Sequence, residues 1–234
     1  MPIRIDGTGY IGTANNIYTD ASGRVGIGTS APENKLHVVT AVDYSTATFQ
    51  SSGSEVNIRL NSTSSGGRDW RLVSGGASGG FSGGQVGFYD ATAAAGRFRI
   101  DSSGRVTMPY QPCFYAFRNA GNVTGAAVFI FNDTYTNIGG HYNTTTGRFT
   151  APVAGNYSFT NFMLTNSSSR CQWSLRKNGN AYAVGEMQAG TWQNGSLSVI
   201  LTLAVNDYID VYINSASDVG YGSGYNGLIG QLIG

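Results

Sequence analysis

The sequence predicts an all-β protein, and three observations support this prediction. Glycine occurs 34 times in 234 residues and proline only 5 times. Ser, Thr and Asn are frequent throughout, as expected of short strands joined by tight turns. Apolar and polar residues alternate in many short stretches, and no sustained apolar period of about 3.6 residues occurs. We therefore expect a β fibre or knob region followed by a β head.

Charge and hydropathy exclude several functional classes. Lys and Arg number 14 against 13 Asp and Glu, which leaves a formal net charge of +1. This balance provides no basic surface for nucleic acid and no polybasic patch for a membrane. No apolar run reaches about 18 residues, so we expect no membrane insertion. The N-terminus lacks the basic and apolar regions of a signal peptide, which favours release from a cytoplasm by lysis.

The two cysteines, Cys113 and Cys171, lie 58 positions apart with no motif around either. We interpret them as buried thiols that act as small hydrophobic side chains. A disulfide between them is the alternative, and sequence alone cannot decide it.

A short motif occurs twice in the first half of the chain. Asp20-Ala-Ser-Gly-Arg24-Val recurs 81 positions later as Asp101-Ser-Ser-Gly-Arg105-Val. Each copy predicts an Asx-type turn with Gly in the left-handed conformation, followed by the start of a strand. Two copies with the same spacing indicate a structural repeat.

The residues after the first copy resemble a known fibre segment. The run Gly26-Ile-Gly-Thr-Ser-Ala-Pro-Glu-Asn-Lys-Leu-His-Val38 is similar to a segment common in phage tail fibres and other trimeric fibrous β proteins, and also found in bacterial surface proteins. The resemblance implies an attachment and shaft segment over residues 1–36. Residues 1–19 would then contact another tail or baseplate protein.

Residues 37–108 are expected to form a small Gly-rich β knob. Alternation predicts strands at residues 55–61, 69–74, 85–90 and 97–101. Eight apolar anchors are available: Phe49, Ile58, Leu60, Trp70, Leu72, Phe88, Phe98 and Ile100. At roughly 1.5–3 kcal/mol for each fully buried side chain, they hardly offset the ordering cost of so many Gly-rich residues. We therefore expect this region to be stable only when three chains share a core.

Residues 109–234 have a different texture, with frequent aromatics, longer alternation and few paired glycines. We expect strands at residues 114–118, 128–132, 137–142, 147–150, 156–166, 171–178, 180–185, 195–205, 207–213 and 227–233. Asn178-Gly179 between two alternating runs is a strong hairpin signal, and Asn206-Asp207 is expected to form another turn. About ten short strands are typical of a two-sheet jelly roll.

The same region resembles the globular head of complement C1q and its tumour-necrosis-factor-like relatives. The matching motifs are Phe114-Tyr-Ala-Phe, His141-Tyr-Asn, Thr146-Gly-x-Phe-Thr-Ala-Pro-Val, Gly155-x-Tyr-x-Phe, Leu175-x-Lys-Asn-Gly and Tyr225-Asn-Gly-Leu-Ile. The resemblance implies a ten-stranded jelly roll that forms a tight homotrimer. It also implies that Tyr157, Phe159 and Phe162 belong to the core or the trimer seam. The loops, where partners differ within the family, show no usable match.

Two aromatic residues, Trp192 and Tyr221, are expected in glycine-flanked loops of the head. An exposed aromatic ring there could stack on a sugar or fill a groove of a protein, so both are candidate receptor-binding residues. The alternative is that each ring folds back onto its own domain.

Catalytic and metal-binding constellations are absent from the sequence. The acidic residues are scattered singly, and we expect Asp207 and Asp210 to be solvated rather than paired for hydrolysis. No Cys/His cluster or calcium loop is found, so we predict no catalytic residue, no metal and no cofactor.

These observations lead to one functional hypothesis and two alternatives. The hypothesis is a homotrimeric bacteriophage tail fibre, part of the virion, whose head binds a saccharide or protein receptor on the host surface by multivalent contacts. The first alternative is a bacterial surface or spore-coat adhesin with the same head. The second is a polysaccharide depolymerase, which the lack of paired carboxylates disfavours.

Overall fold

The computed structural model describes residues 17–40, 47–76, 80–119, 121–123, 125–214 and 224–234. Regular secondary structure over these residues is β throughout, which confirms the predicted class. The described part of the chain contains no helix of the length and hydropathy needed to cross a membrane. The chain divides into two compact units, Met1–Arg105 and Val106–Gly234.

The N-terminal half contains two sheets. In the first, β1 (Ile17–Thr19) pairs antiparallel with β2 (Val25–Ile27), which pairs parallel with β3 (Leu36–Val38). The second is a five-stranded sheet in chain order: β4 (Glu55–Asn61), β5 (Asp69–Gly75), β6 (Val86–Asp90), β7 (Ala95–Ile100) and β8 (Val106–Thr107). The bounds of β4 to β7 differ from the predicted strands by at most two residues.

The repeated motif forms the same turn twice. Asp20 accepts hydrogen bonds through Oδ1 from the backbone N–H of Arg24 at 3.0 Å and through Oδ2 from its Nε at 2.6 Å. Asp101 makes the same two bonds with Arg105, at 3.0 and 2.7 Å. The glycine before each arginine has a positive φ, 67° and 82°. The predicted structural repeat is confirmed at this turn.

The head consists of two antiparallel sheets, as the predicted jelly roll requires. Its strands are β9 (Cys113–Phe117), β10 (Ala127–Val128), β11 (Asp133–Ile138), β12 (Tyr142–Asn143), β13 (Arg148–Thr150), β14 (Gly155–Ser167), β15 (Cys171–Lys177), β16 (Asn180–Met187), β17 (Gly190–Leu203), β18 (Tyr208–Ile213) and β19 (Gly227–Leu232). We call the first sheet the β14 sheet; its order is β11-β9-β19-β14-β17. We call the second the β18 sheet; its order is β12-β13-β18-β15-β16, with β10 also paired to β18.

Aromatic side chains fill the space between the two sheets of the head. The Phe114 ring stacks on Tyr142 and on Phe149, with centroid distances of 5.0 Å to each. Phe149 in turn lies 5.5 Å from Phe159 in an edge-to-face contact. Such contacts add stability beyond the area that the rings bury. Trp173 also belongs to this core, since only 1% of it is exposed.

Two predicted strands of the head are wrong, and each fails where the chain changes sheet. Residues 128–132 alternate as a strand would, but pairing with β18 ends at Val128, and β11 begins at Asp133 in the other sheet. Residues 137–142 are interrupted by Gly139 and Gly140, whose φ angles are 83° and 71°. The chain crosses from the β14 sheet to the β18 sheet at these glycines.

Both cysteines remain thiols. Cys113 is half-buried at the start of β9, and Cys171 is fully buried at the start of β15. This agrees with the interpretation as small hydrophobic side chains for Cys171, whereas Cys113 is more accessible than expected.

Candidate functional site

Trp192 does not lie in a loop, contrary to the prediction. Strand β17 starts at Gly190, five residues earlier than expected, and Trp192 is its third residue. Here β17 pairs with β14, with Thr165 opposite Gln193 and Ser167 opposite Gly190. Two residues of β17 therefore face one residue of β14, which is the arrangement of a β-bulge. The bulge determines how Trp192 is presented.

The backbone of Trp192 adopts a conformation that bulky residues avoid. Its φ is 56°, in the left-handed region that glycine normally occupies at such a bulge. Half of the side chain, 51%, is exposed to solvent. Strained residues of this kind cluster at sites of binding and catalysis, so the observed outlier supports a functional hypothesis for Trp192.

Polar groups able to contact a ligand lie within a few residues of Trp192 along the chain. The Nε2 of Gln188 donates to Oε1 of Glu186 at 3.0 Å, and the other carboxylate oxygen pairs with Arg170 at 3.1 Å. The Nε2 of Gln193 donates to the backbone oxygen of Thr191 at 3.3 Å. An exposed ring suits the apolar face of a ligand, and amide and carboxylate groups this close along the chain are candidates to bind its hydroxyls or amides.

The second receptor-binding candidate, Tyr221, lies outside the described residues, so its role stays a prediction.

The three residues assigned to the core or trimer seam divide between two surfaces. Tyr157 and Phe159 are fully buried on the inward face of β14, in the core. Phe162 is half-buried and lies on the opposite, outward face, because it comes three positions after Phe159 and side chains alternate between faces along a strand. Only Phe162 is therefore available to a seam between chains.

Phe162 belongs to a cluster on the outward face of the β14 sheet, which we call the outer aromatic patch and define as Tyr115, Phe117, Tyr135 and Phe162. Tyr115 lies 6.3 Å from Phe162 and 4.9 Å from Tyr135, measured between ring centroids. Phe117 stacks on Tyr135 at 4.2 Å, and 61% of Tyr135 is exposed. Burial of the Tyr115 hydroxyl among these rings raises its pKa. Tyr115 and Tyr135 were not among the predicted seam residues, although alternation of Tyr115 with inward-facing Phe114 and Ala116 is a usable signal.

The expectation that Asp207 and Asp210 are solvated is wrong. Asp210 is fully buried on β18, where Arg176 contacts its two oxygens at 2.7 and 2.9 Å and Arg148 lies 3.6 Å away. The Arg148 and Arg176 guanidinium groups also lie 4.1 Å from the rings of Tyr208 and Tyr212. Asp210 therefore forms a structural ion pair with Arg176, because an isolated buried charge would be costly.

Asp207 is held by three groups at the turn before β18. It pairs with Lys177 Nζ at 2.9 Å and accepts hydrogen bonds from Asn178 Nδ2 at 2.7 Å and the backbone N–H of Ala204 at 2.8 Å. The Lys177 bond, followed by the Asn178 bond, lowers the pKa of Asp207 from 3.8 to about 2. The bonds tie the β15–β16 hairpin to the turn between β17 and β18.

This depressed pKa gives a testable pH dependence. Because the folded pKa lies below the unfolded one, the stabilisation from Asp207 is present above pH 3.8 and is lost as the pH falls through about 2. Urea unfolding at pH 2 to 6 should therefore show that Asp207→Asn lowers stability at pH 6 and has little effect at pH 2. An equal loss at both pH values would contradict the assignment.

Both histidines accept hydrogen bonds from backbone N–H groups. Nδ1 of His37 accepts from the backbone N–H of Glu33 at 3.3 Å, and the backbone oxygen of His141 accepts from Thr150 at 2.9 Å. Within the described ranges, no three His, Cys, Asp or Glu side chains are grouped so that they could hold a metal ion.

Comparisons with known proteins concern the head. The C1q domain family model matches residues 113–230, that is 118 of 234 residues. Among solved structures, the chain is similar to the globular domain of zebrafish complement 1qA protein at 21% identity, covering 53% of this chain and 98% of that one, with a TM-score of 0.45. It is also similar to Eiger TNF from S. frugiperda, at 9% identity, 53% and 93% coverage and a TM-score of 0.46. Murine APRIL matches at 8% identity, 53% and 99% coverage and a TM-score of 0.46. Since the family model covers half of the chain, this protein belongs to the C1q domain family.

Proposed function

We propose that this protein is the homotrimeric tail fibre of a bacteriophage, and that its C1q-type head binds a receptor on the bacterial surface. C1q/TNF-like domains are non-enzymatic binding folds that form homotrimers and bind receptors or other ligands. A binding role without catalysis follows naturally for a head of this family. Three identical sites on one trimer would add avidity to a weak individual contact.

The observation that carries the binding role is the conformation of Trp192. A half-exposed tryptophan held at a positive φ costs folding free energy that a glycine would avoid. The neighbouring amide and carboxylate groups supply hydrogen-bonding partners. The combination favours a saccharide or a polar protein surface as the receptor.

The outer aromatic patch supports trimer formation. It places four aromatic side chains on the outward face of the β14 sheet, where Tyr135 stays 61% exposed although its ring contacts Tyr115 and Phe117. Ile200, on the same outward face of the neighbouring strand β17, is 63% exposed. Interface cores are enriched in aromatic residues, as the outer aromatic patch is.

The fibre context rests on the N-terminal half. The run from Gly26 to Val38 resembles segments of phage tail fibres, and the Asp20 and Asp101 turns show that one structural unit is used twice. The same segment also occurs in bacterial surface proteins, so a surface or spore-coat adhesin is the alternative. Immunogold labelling of purified virions tests the proposal: labelled tails would support it, and label confined to the bacterial envelope would support the adhesin.

Substitution of Trp192 tests the receptor site. Asparagine tolerates a positive φ, so Trp192→Asn should leave the head folded while removing the ring. Loss of an aromatic residue at a binding hot spot costs about 2 kcal/mol or more, which is roughly 30-fold in affinity. We expect this loss when binding is measured to immobilised lipopolysaccharide, capsular polysaccharide and wall teichoic acid and to whole bacterial cells.

Tyr182→Asn is the matched control, because Tyr182 is also an exposed aromatic residue of the head, 55% accessible, but lies on β16 in the β18 sheet. It should bind as the wild type does. If both variants bind equally to every surface, Trp192 is not the receptor site.

A further inference from the structure

The sheet formed by β4 to β7 has one face on which most side chains are apolar and partly exposed; Ser74 and Asp90 share this face. We call it the apolar sheet face and define it by the side chains of Val56, Ile58, Leu60, Trp70, Leu72, Val86, Phe88, Phe98 and Ile100. Ile58, Leu72, Phe88 and Phe98 lie side by side across four strands. The Phe88 and Phe98 rings are 6.2 Å apart. Exposure reaches 61% for Leu60 and 46% for Phe88.

The opposite face of the same sheet is charged and already covered. Arg59 and Arg71 both contact Asp69, at 3.0 Å each. Phe81 is fully buried against this face; its backbone N–H donates to Glu55 at 3.0 Å, and the Arg99 guanidinium lies 5.0 Å from its ring. The two faces of the sheet therefore differ in polarity and in cover: the charged face packs against Phe81, whereas the mostly apolar face is partly exposed.

Little of the described N-terminal half lies over the apolar sheet face. Phe49 reaches its border and, together with Val56, Ile58, Leu72 and Val86, lines an open depression of about 160 Å³, yet Phe49 itself is 61% exposed. Contiguous exposed apolar surfaces of this kind mark sites of interaction with another chain.

We propose that the apolar sheet face is covered by the same face of two further copies of this chain, which together form a shared core. Asp90, which lies opposite Trp70 on this side of the sheet, is buried and already paired with Arg68 and Arg97 at 2.7 and 3.1 Å. The apolar residues that remain offer no ionic recognition of a foreign partner, whereas they complement a copy of the same face. The short connection between this sheet and the head is a second argument that copies of this chain cover the face. Here the inference rests on the proposed trimeric head. Five residues, 108–112, separate β8 from β9, and they span at most about 20 Å. A trimer of heads thus holds three apolar sheet faces at a high effective concentration.

Residues on the two faces of this sheet provide a matched test in the full-length protein. Leu60→Lys and Phe88→Lys each place a charge on the apolar sheet face, at positions that a lone chain leaves exposed. Asn57→Lys places the same charge on β4 but on the opposite face, where Asn57 is exposed. We expect hydrogen exchange of the β4–β7 amides to accelerate by about tenfold or more in the first two variants and to stay at the wild-type rate in Asn57→Lys. Leu60→Met, which keeps the side chain apolar, should exchange as the wild type does.

The oligomeric mass, measured by light scattering on the same samples, separates this inference from the proposed function. A wild-type mass of three chains with slow exchange that only the two face variants accelerate supports a shared core. A mass of three chains with Leu60→Lys exchanging no faster than Asn57→Lys overturns the shared core and leaves the trimeric head intact. A wild-type mass of one chain overturns both.

Discussion

If the head forms the proposed homotrimer, replacing Phe162 with glutamate is expected to separate it into single chains. Phe162 is half-buried within the outer aromatic patch, between Gly227 of β19 and Ser196 of β17. In a lone chain a carboxylate at this position can still reach water, but in a trimer it would be buried without a partner, at a cost of several kcal/mol per chain. Loss of the trimer should lower binding to a multivalent surface by about 10²- to 10⁴-fold, even with every receptor site intact.

Light scattering at micromolar concentration measures the dissociation, and circular dichroism shows whether the fold survives. Ile200→Glu is a second variant for the case in which Phe162→Glu misfolds, because Ile200 is 63% exposed and tolerates a charge in the lone chain. Tyr182→Glu, on the other sheet, is the control and should keep the mass of three chains. Should both Phe162→Glu and Ile200→Glu fold and remain trimeric, the seam does not lie on the outward face of the β14 sheet.

Local chemistry determined much of the fold, and those parts were predictable. The hairpin between β15 and β16 turns at Asn178 and Gly179, whose φ angles of 52° and 80° are those that an Asn-Gly dipeptide favours. Strand β4 was predicted with its observed bounds because polar residues flank an alternating apolar run. In both cases the signal lies within a few residues and needs no knowledge of the partner strand.

The wrong strand predictions lie where the chain passes from one sheet of the head to the other. Phe129 and Phe131 alternate as strand residues do and are fully buried, but they fill the gap between the sheets while the chain crosses from β10 to β11. Hydrophobic alternation reports burial, and burial is equally possible for a crossing segment. Only the long-range pairing with β18 and β9 reveals the crossing.

The candidate sites illustrate the same limit. Parity along β14 places Phe162 opposite to Tyr157 and Phe159, so the outward position of Phe162 could be read from the sequence. The left-handed conformation of Trp192 could not, because tryptophan disfavours it and the bulge depends on how β17 pairs with β14. A residue that contradicts its local preference is where a functional constraint is expected.

A large loss of stability is also expected when Trp173, a fully buried residue of the head core, is replaced. Its ring lies between Gly185 of β16 and Gly195 of β17, where an added Cβ would come within 2.3 and 2.4 Å of ring atoms. Trp173→Ala should therefore cost about 3–5 kcal/mol of unfolding free energy, since rigid strands on both sides prevent collapse of the cavity. Gly185→Ala should cost about 1–3 kcal/mol, because the methyl group overlaps the ring.

The two substitutions should not be additive, and this distinguishes close packing from two independent weaknesses. Once the ring is removed, the methyl group of Gly185→Ala occupies part of the cavity, so the double variant should be more stable than the sum of the single losses predicts, by about 1 kcal/mol or more. Urea unfolding followed by far-ultraviolet circular dichroism, at one fixed protein concentration because assembly contributes to stability, measures all three values. Tyr182→Ala, at an exposed position of β16, should change stability by less than about 1 kcal/mol. Strictly additive losses would mean that the cost of Gly185→Ala does not arise from overlap with the Trp173 ring.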